Sequence, residues 1–165
     1  MVIEESGMTF GDFDDTDLFY IEKSEYYQRM GQGVSTVEFI LHRPKKVLFV
    51  EAKSSSPAPG NDLRFDAFID EIAQKFIHSI EMYASHILRR TDRYEEMPEK
   101  LRNIDWLQYR LIFILVINGH KAEWLSPITS ALQQRLLAQT SIWDCDISVI
   151  NDEMAREYNM ISNGG

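Results

Sequence analysis

Residues 34–56 constrain the fold of this chain more than any other segment. They contain two apolar-rich runs, 37–41 and 47–52, joined by the short connection His42-Arg43-Pro44-Lys45. Two apolar runs separated by a few turn-forming residues predict a β-hairpin. A buried strand normally avoids charge, yet three charged residues lie in or directly after these runs: Glu38, Glu51 and Lys53.

These charges have a predictable arrangement. Glu51 and Lys53 are two residues apart, so on a strand their side chains point to the same face. With a turn centred on residues 43–45, Glu38 falls roughly opposite Glu51, where facing Cβ atoms are about 4.5–5.5 Å apart. Because two carboxylates at that distance repel each other, we expect a cation between them, either Lys53 or a bound metal.

Before the hairpin, the sequence predicts little regular structure. Residues 1–16 contain glycine and an acidic run, which indicates an irregular segment with at most a short strand near 8–10. Residues 17–24 have the β-branched and aromatic character of a strand. Residues 25–30 suit a helical turn that ends at Gly31.

After the hairpin comes the clearest helix of the chain. Residues 54–62 form a proline-containing loop in which Asn61 or Asp62 can cap that helix. Apolar residues then recur at three- and four-residue steps, which predicts an amphipathic helix ending near Arg89 or Arg90. These residues are Phe65, Ile69, Ile72, Phe76, Ile80, Tyr83 and Ile87.

The C-terminal part of the chain predicts alternating helices and strands. In order, these are a short helix opened by Pro98, a strand over 110–118, a helix from Ser126-Pro127 to about Gln139, a strand over 145–150, a helix capped by Asn151 and a frayed tail over 162–165. The continuous apolar run at 110–118 is typical of a strand buried on both faces in a parallel sheet. The whole order predicts one α/β domain, over residues 1–165, with a mixed central β-sheet flanked by helices.

Composition excludes some functions and sets the expected environment. The net charge of −9 disfavours a protein that coats nucleic acid through many lysine and arginine contacts. It does not exclude a nuclease, because acidic metal ligands contribute to that charge. The single cysteine, Cys145, excludes an intramolecular disulfide and predicts a small buried side chain. No apolar run approaches membrane-spanning length, and the N-terminus lacks a signal-peptide pattern, so we expect a cytoplasmic protein without membrane association.

The hairpin and its flanking elements resemble the PD-(D/E)xK nuclease superfamily, also called the restriction-endonuclease-like fold. The resemblance consists of an acidic residue on one strand, Glu-x-Lys on the next, a long helix and then a buried strand. The matching residues are Glu38 and Glu51-Ala52-Lys53, and the matching topology covers about residues 18–118.

The resemblance implies metal-dependent hydrolysis of phosphodiester bonds in DNA or RNA. Glu38, Glu51 and the backbone carbonyl of Ala52 would bind one or two Mg²⁺ (or Mn²⁺) ions, and Lys53 would be the catalytic lysine. The sequence departs from the family pattern in two ways. The first acid is glutamate instead of the usual aspartate, and the additional acid of many members has no obvious counterpart, although Glu22 or Glu25 can supply it.

Other interpretations of the same residues stay open at this stage. Gln74 or Lys75 on the long helix can also reach the site. Glu38, Glu51 and Lys53 can instead form a salt-bridge ladder on a solvent-exposed sheet face. The protein can also be a non-catalytic interaction module that retains the fold and binds a protein partner, for example through Trp124, or forms a homodimer. A basic region (Arg89, Arg90, Arg93, Lys100 and Arg102) is either a solvated helix end or a phosphate contact.

Overall fold

The computed structural model describes residues 1–60 and 62–162. The predicted capping role of Asn61 and the predicted fraying of residues 163–165 therefore lie outside the described residues. Ser162 does not fray as predicted: its N–H donates to the Thr9 carbonyl at 3.0 Å, and its hydroxyl donates to the Gly11 carbonyl at 2.9 Å.

The fold is built on a five-stranded mixed β-sheet, which confirms the predicted architecture. Its strands are β3 (Leu18–Phe19), β4 (Phe39–Arg43), β5 (Lys46–Lys53), β6 (Arg110–Ile117) and β7 (Cys145–Asn151), preceded by a separate hairpin of β1 (Ile3–Glu5) and β2 (Met8–Phe10). The strand order is β3-β4-β5-β6-β7. Strands β3, β4 and β5 pair antiparallel, whereas β5, β6 and β7 pair parallel.

The helices follow the predicted order. They are α1 (Glu25–Gln28), α2 (Asp62–Ile87), α3 (Glu99–Arg102), α4 (Leu125–Arg135), α5 (Leu137–Trp143) and α6 (Asp152–Glu157). The Asn151 side chain caps α6 as predicted, accepting a hydrogen bond from the Met154 N–H at 2.9 Å. No helix among the described residues is long and apolar enough to cross a membrane.

The central hairpin forms as predicted. Arg43 pairs with Lys46 across a two-residue turn, in which Lys45 has a positive φ of 60°. The register pairs Phe39 with Val50. This register confirms that Glu38 lies across the hairpin from Glu51.

The sheet separates two apolar layers, and β5 contributes to both. Val47 and Phe49 face α2, whereas Leu48 and Val50 face the layer that contains the β1–β2 hairpin. Because side chains alternate along a strand, Glu51 lies on the face that α2 covers.

Several predicted boundaries differ from the structure, and α2 ends at Ile87 instead of near Arg89 or Arg90. The predicted strand over 17–24 ends at Phe19, because the chain then turns into a 3₁₀-helix whose end is tied by the Ser24 hydroxyl. The helix predicted to start with Ser126 as its cap and Pro127 as its first residue begins earlier, at Leu125, with Trp124 at the cap position. Pro127 lies within its first turn, where no backbone N–H is required. That helix also breaks at Leu136 and continues as α5 to Trp143, beyond the predicted end.

The N-terminal segment is more ordered than its composition indicates. The strand predicted near 8–10 is present as β2, and it pairs with β1, which was not predicted. The two strands are joined by Ser6 and Gly7, which both have positive φ values, of 52° and 76°. This turn depends on the backbone conformation of Ser6 and Gly7 and not on a hydrophobic pattern. Hydrophobic periodicity therefore does not predict it.

Candidate functional site

The candidate site lies at the carboxyl ends of β5 and β6. This is the edge where open α/β sheets commonly bind ligands. Glu51 and Lys53 come from the end of β5, and Glu38 comes from the residue just before β4. Helix α2 covers one side, and the β1–β2 turn closes the edge, because the Ser6 hydroxyl donates to the Ala52 carbonyl at 3.1 Å.

Glu51 is a fully buried acid, with 0% of its surface exposed. Its Oε1 atom lies 3.1 Å from Lys75 Nζ and 3.9 Å from Lys53 Nζ. Its Oε2 atom is buried without a hydrogen-bond partner. Burial raises the pKa of Glu51 to about 7, in spite of the opposing charges of Lys75 and Lys53.

Glu38 is the second buried acid, with 5% of its surface exposed. Its backbone N–H donates to the Val50 carbonyl at 3.0 Å, which fixes the residue beside β5. Its Oε2 atom also has no partner. Burial, followed by the nearby charge of Glu51 and then by Glu22, raises the pKa of Glu38 to about 9.

The exposed salt-bridge ladder considered above is therefore wrong. Such a ladder requires solvated carboxylates, whereas Glu38 and Glu51 are both buried. Only Lys53 reaches outwards, to Glu71 on α2, where Nζ and Oε1 are 2.7 Å apart. The hydrogen bond from Lys53 lowers the pKa of Glu71. Lys53 thus lies between a buried carboxylate and an exposed one.

Of the two α2 residues considered, Lys75 belongs to the site and Gln74 does not. Gln74 contacts His78 on the outer side of α2. Lys75 contacts the buried Glu51. Burial by itself would lower the pKa of Lys75, but the charge and hydrogen bond of Glu51 raise it overall. Lys75 is therefore held as a cation.

The structure also separates the two candidates for the additional acid. Glu22 lies with Glu5 and Glu38 in a cluster to which each residue contributes one carboxylate oxygen within 4.8 Å of the other two. Glu25 instead pairs with Arg93 at 2.8 Å. Glu22, but not Glu25, is therefore placed at the site.

Glu5 and Glu71 are site residues that sequence reasoning missed. Glu5 lies in the segment that was expected to be irregular, and the Ser6-Gly7 pair that follows it was the available turn signal. Glu71 lies four residues before Lys75 on α2. That spacing places Glu71 and Lys75 on one helix face. The position of Lys75 near the site was therefore the available signal for Glu71.

The chemistry of these side chains fits a hard divalent cation. Mg²⁺ and Mn²⁺ prefer carboxylate and carbonyl oxygens, and Glu38, Glu51 and the Ala52 carbonyl supply them. A carbonyl oxygen has two lone pairs, so the hydrogen bond from Ser6 leaves one of them for a ligand. The buried carboxylate oxygens without partners, on Glu22, Glu38 and Glu51, are costly by themselves, and a bound cation would offset part of that cost.

The other residues considered from the sequence have structural roles. Cys145 is a buried free thiol, as predicted. His86 is buried against Phe19 and Tyr26, with Nδ1 2.8 Å from the Met82 carbonyl.

The basic region is largely paired within the chain. Arg93 pairs with Glu25 and Lys100 with Asp17. Arg89 and Arg102 lie over the ring of Tyr94. These contacts favour the solvated helix end over a phosphate-binding patch.

Comparisons of the chain with models of protein families, with curated proteins and with solved structures found no match.

Proposed function

We propose that this protein is a metal-dependent phosphodiester hydrolase, a nuclease of the PD-(D/E)xK type that acts on DNA or RNA. One observation carries the proposal. Two buried carboxylates, Glu38 and Glu51, each keep an oxygen atom without a partner, and Lys53 Nζ lies 3.9 Å from Glu51 Oε1 at the edge of the sheet. A purely structural site would be expected to pair those oxygens with donors of its own.

Glu38, Glu51 and the Ala52 carbonyl would hold the Mg²⁺ or Mn²⁺ ion, with Glu22 and Glu5 next to Glu38. When bound, such an ion neutralises charge on a phosphate and lowers the pKa of a coordinated water.

The two lysines would have different roles in this site. Lys53 is partly exposed and is oriented by Glu71, so its ammonium can contact a phosphate oxygen and stabilise negative charge there. Lys75 is more enclosed and is in contact with Glu51. It would position that carboxylate and favour its ionised form.

The raised pKa values of Glu38 and Glu51 should make metal binding depend on pH. Without a cation, Glu38 retains its proton at neutral pH, and Glu51 is near the midpoint of its titration. Ligand carboxylates must lose their protons when a metal binds. Metal binding should therefore release protons and become tighter as the pH rises from 6 to 9.

The proposal is tested by a cleavage assay on labelled single- and double-stranded DNA and RNA with Mg²⁺ or Mn²⁺. Lys53→Ala should lower the cleavage rate by about 10²-fold or more, the range for removal of a general acid–base or charge-stabilising group. Glu25→Gln is the matched control, because Glu25 is an acid from the same region that lies outside the site. It should cleave like the unmodified protein.

Calorimetric titration with Mn²⁺ separates binding from catalysis. Unmodified protein should bind the ion, and Glu51→Gln should bind it much more weakly. An absence of binding, together with equal cleavage by Lys53→Ala, would refute the proposal.

The alternative function is a non-catalytic interaction module that retains this fold. It is favoured by the two ion pairs that the lysines form without any metal, Lys75 with Glu51 and Lys53 with Glu71. In that case the charges would stabilise the edge of the sheet, and the folded protein would bind no divalent ion in the same titration.

A further inference from the structure

A groove of about 280 Å³ lies at the same edge of the sheet as the carboxylate site. It is lined by the loop after β5 and by the segment after β6, chiefly by Ser56, Pro57, Pro59, His120 and Trp124. Its volume is just below the range of about 300–1,000 Å³ that is typical of pockets for drug-sized ligands. The groove therefore suits a smaller group, such as one planar ring system.

The sheet register places this groove close to Lys53. Strands β5 and β6 are parallel, and Lys53 at the end of β5 is aligned with Ile117 at the end of β6. Ser56 follows Lys53 by three residues, and His120 follows Ile117 by three residues. Because three residues span at most about 11 Å, neighbouring nucleotides of one strand can reach both the carboxylate site and the groove.

The aromatic ring of Trp124 is available for contact with a ligand in this groove. It is 47% exposed. His120 packs against it in a T-shaped arrangement, with ring centroids 5.2 Å apart. Ser56 Oγ lies 2.7 Å from His120 Nε2, and the Asn151 side chain donates to the His120 carbonyl at 2.9 Å. The side chain that supports Trp124 is therefore held in place before any ligand binds.

Lys121 supplies a positive charge next to this ring. Its Nζ atom lies 5.0 Å from the centre of the Trp124 ring, and the residue is exposed. Proteins bind single-stranded nucleic acid by stacking bases on aromatic side chains while basic side chains follow the phosphates. In a duplex each base is already stacked and paired, so it must first be extruded, at a cost in free energy, to meet such a ring.

We propose that Trp124 stacks on an unpaired base of the strand that is cleaved, and that Lys121 contacts a phosphate of the same strand. The choice of a nucleic acid as the ligand rests on the proposed function, since the groove borders the edge where that function places the phosphodiester bond. Stacking at Trp124 makes the protein prefer single-stranded to double-stranded substrates.

Fluorescence anisotropy of labelled oligonucleotides tests this base-stacking site, with a chelator present so that binding is measured without cleavage. The probes are an oligothymidylate, an oligouridylate and a DNA duplex. Unmodified protein should bind a single strand more tightly than the duplex. Trp124→Ala should weaken single-strand binding by about tenfold or more, the contribution of one stacked base, and Trp124→Phe should retain most of it.

Lys121→Met tests the phosphate contact separately. Each phosphate contact on a single strand contributes about 0.7 to the slope of log affinity against log salt concentration. We therefore expect this variant to reduce the slope by about that amount, and an unchanged slope would remove Lys121 from the site.

Trp106→Ala is the matched control for Trp124→Ala. Trp106 is also partly exposed, at 39%, but it precedes β6 and so lies at the other end of the sheet. It should bind oligonucleotides like the unmodified protein. Because Trp124 is half exposed, Trp124→Ala should give an unchanged circular dichroism spectrum.

Cleavage with Mn²⁺ separates this site from the catalytic proposal. If Trp124→Ala cleaves single strands as well as the unmodified protein does, the base-stacking site is wrong and the nuclease assignment stands. If single-strand binding depends on Trp124 but no strand is cleaved, the base-stacking site stands and the catalytic proposal is wrong. The site would also be overturned if unmodified protein bound no single strand, or if Trp124→Ala left binding unchanged.

Discussion

Burial, and not only the proximity of other charges, raises the pKa values of Glu38 and Glu51. Most acidic residues of the chain are exposed or paired, but these two have lost solvent and each retains an oxygen without a partner. Burial disfavours the charged form of a carboxylate, and a second carboxylate nearby adds to that effect. Metal-free protein therefore bears an energetic cost at these two positions.

Glu38→Gln should remove part of that cost. At pH 8 we expect the free energy of unfolding of the metal-free protein to increase by on the order of 1–3 kcal/mol, because Glu38 must take up a proton on folding at this pH and glutamine need not. Urea unfolding monitored by circular dichroism measures the change. Glu25→Gln, in the exposed ion pair with Arg93, should not stabilise the protein. A loss of stability in Glu38→Gln would contradict this account.

Lys75→Met should have the opposite effect, because it leaves Glu51 buried without its nearest cation. Breaking a buried ion pair costs about 3–5 kcal/mol, and we expect a loss towards the lower end of that range at pH 8. At pH 5 the loss should be much smaller, since Glu51 then holds a proton in the folded state. An equal loss at both pH values would show that the lysine acts through its packing alone.

At the scale of elements, the β1–β2 hairpin completes the site. Its turn crosses the ends of β5 and β6, where the Ser6 hydroxyl contacts the Ala52 carbonyl and the Asn118 side chain donates to the Ser6 carbonyl at 3.2 Å. These contacts place Glu5 beside Glu22 and Glu38. The hairpin is therefore a part of the site and not an appendage to the sheet.

Gly7→Ala should loosen this element. Gly7 has a φ of +76°, and an added Cβ would lie 2.9 Å from the Asn118 amide nitrogen. We expect a loss of about 1–2 kcal/mol from the left-handed backbone, together with a further loss from the displaced Asn118. Gly119→Ala is the control, because its φ is +67° and its Cβ would meet no atom within 4 Å. Equal losses in the two variants, measured by urea unfolding, would show that the Asn118 contact contributes nothing.

At the scale of the whole molecule, the buried acids should set the dependence of stability on pH. A folded-state pKa above the unfolded value means that the folded protein holds the proton more tightly. The associated stability is complete below the unfolded pKa of 4.5 and is lost as the pH rises through the folded pKa, about 7 for Glu51 and about 9 for Glu38. Burial lowers the pKa values of His86 and His120. These histidines therefore make stability rise with pH, but only below about pH 6.5.

Metal-free protein should therefore lose stability between pH 7 and 9, by up to about 1.4 kcal/mol per pH unit for one proton. Saturating Mn²⁺ should reduce this slope, because the ion replaces the protons of the folded state. Urea unfolding at several pH values, with Mn²⁺ or with a chelator, measures both slopes. Parallel profiles with and without Mn²⁺ would argue against a metal at Glu38 and Glu51.

Much of the fold was predictable because its signals are local. The apolar run of β6, the three- and four-residue periodicity of α2 and the turn at Pro44-Lys45 each lie within one short stretch of sequence. The turn also fixes the hairpin register, so the position of Glu38 across from Glu51 followed from the sequence. The β1–β2 hairpin was missed because its turn depends on two positive φ values and not on a hydrophobic pattern.

The sequence by itself therefore determined the mixed sheet, the long helix and the position of Glu38 across the hairpin from Glu51, since each depends on neighbours in the chain. Only the tertiary structure decided which further charges join them. Glu5 reaches the site because Ser6 packs against Ala52, and Glu22 is preferred over Glu25 because the chain turns after Phe19. Contacts between residues so distant in sequence are fixed by packing across the sheet, and no local pattern encodes them.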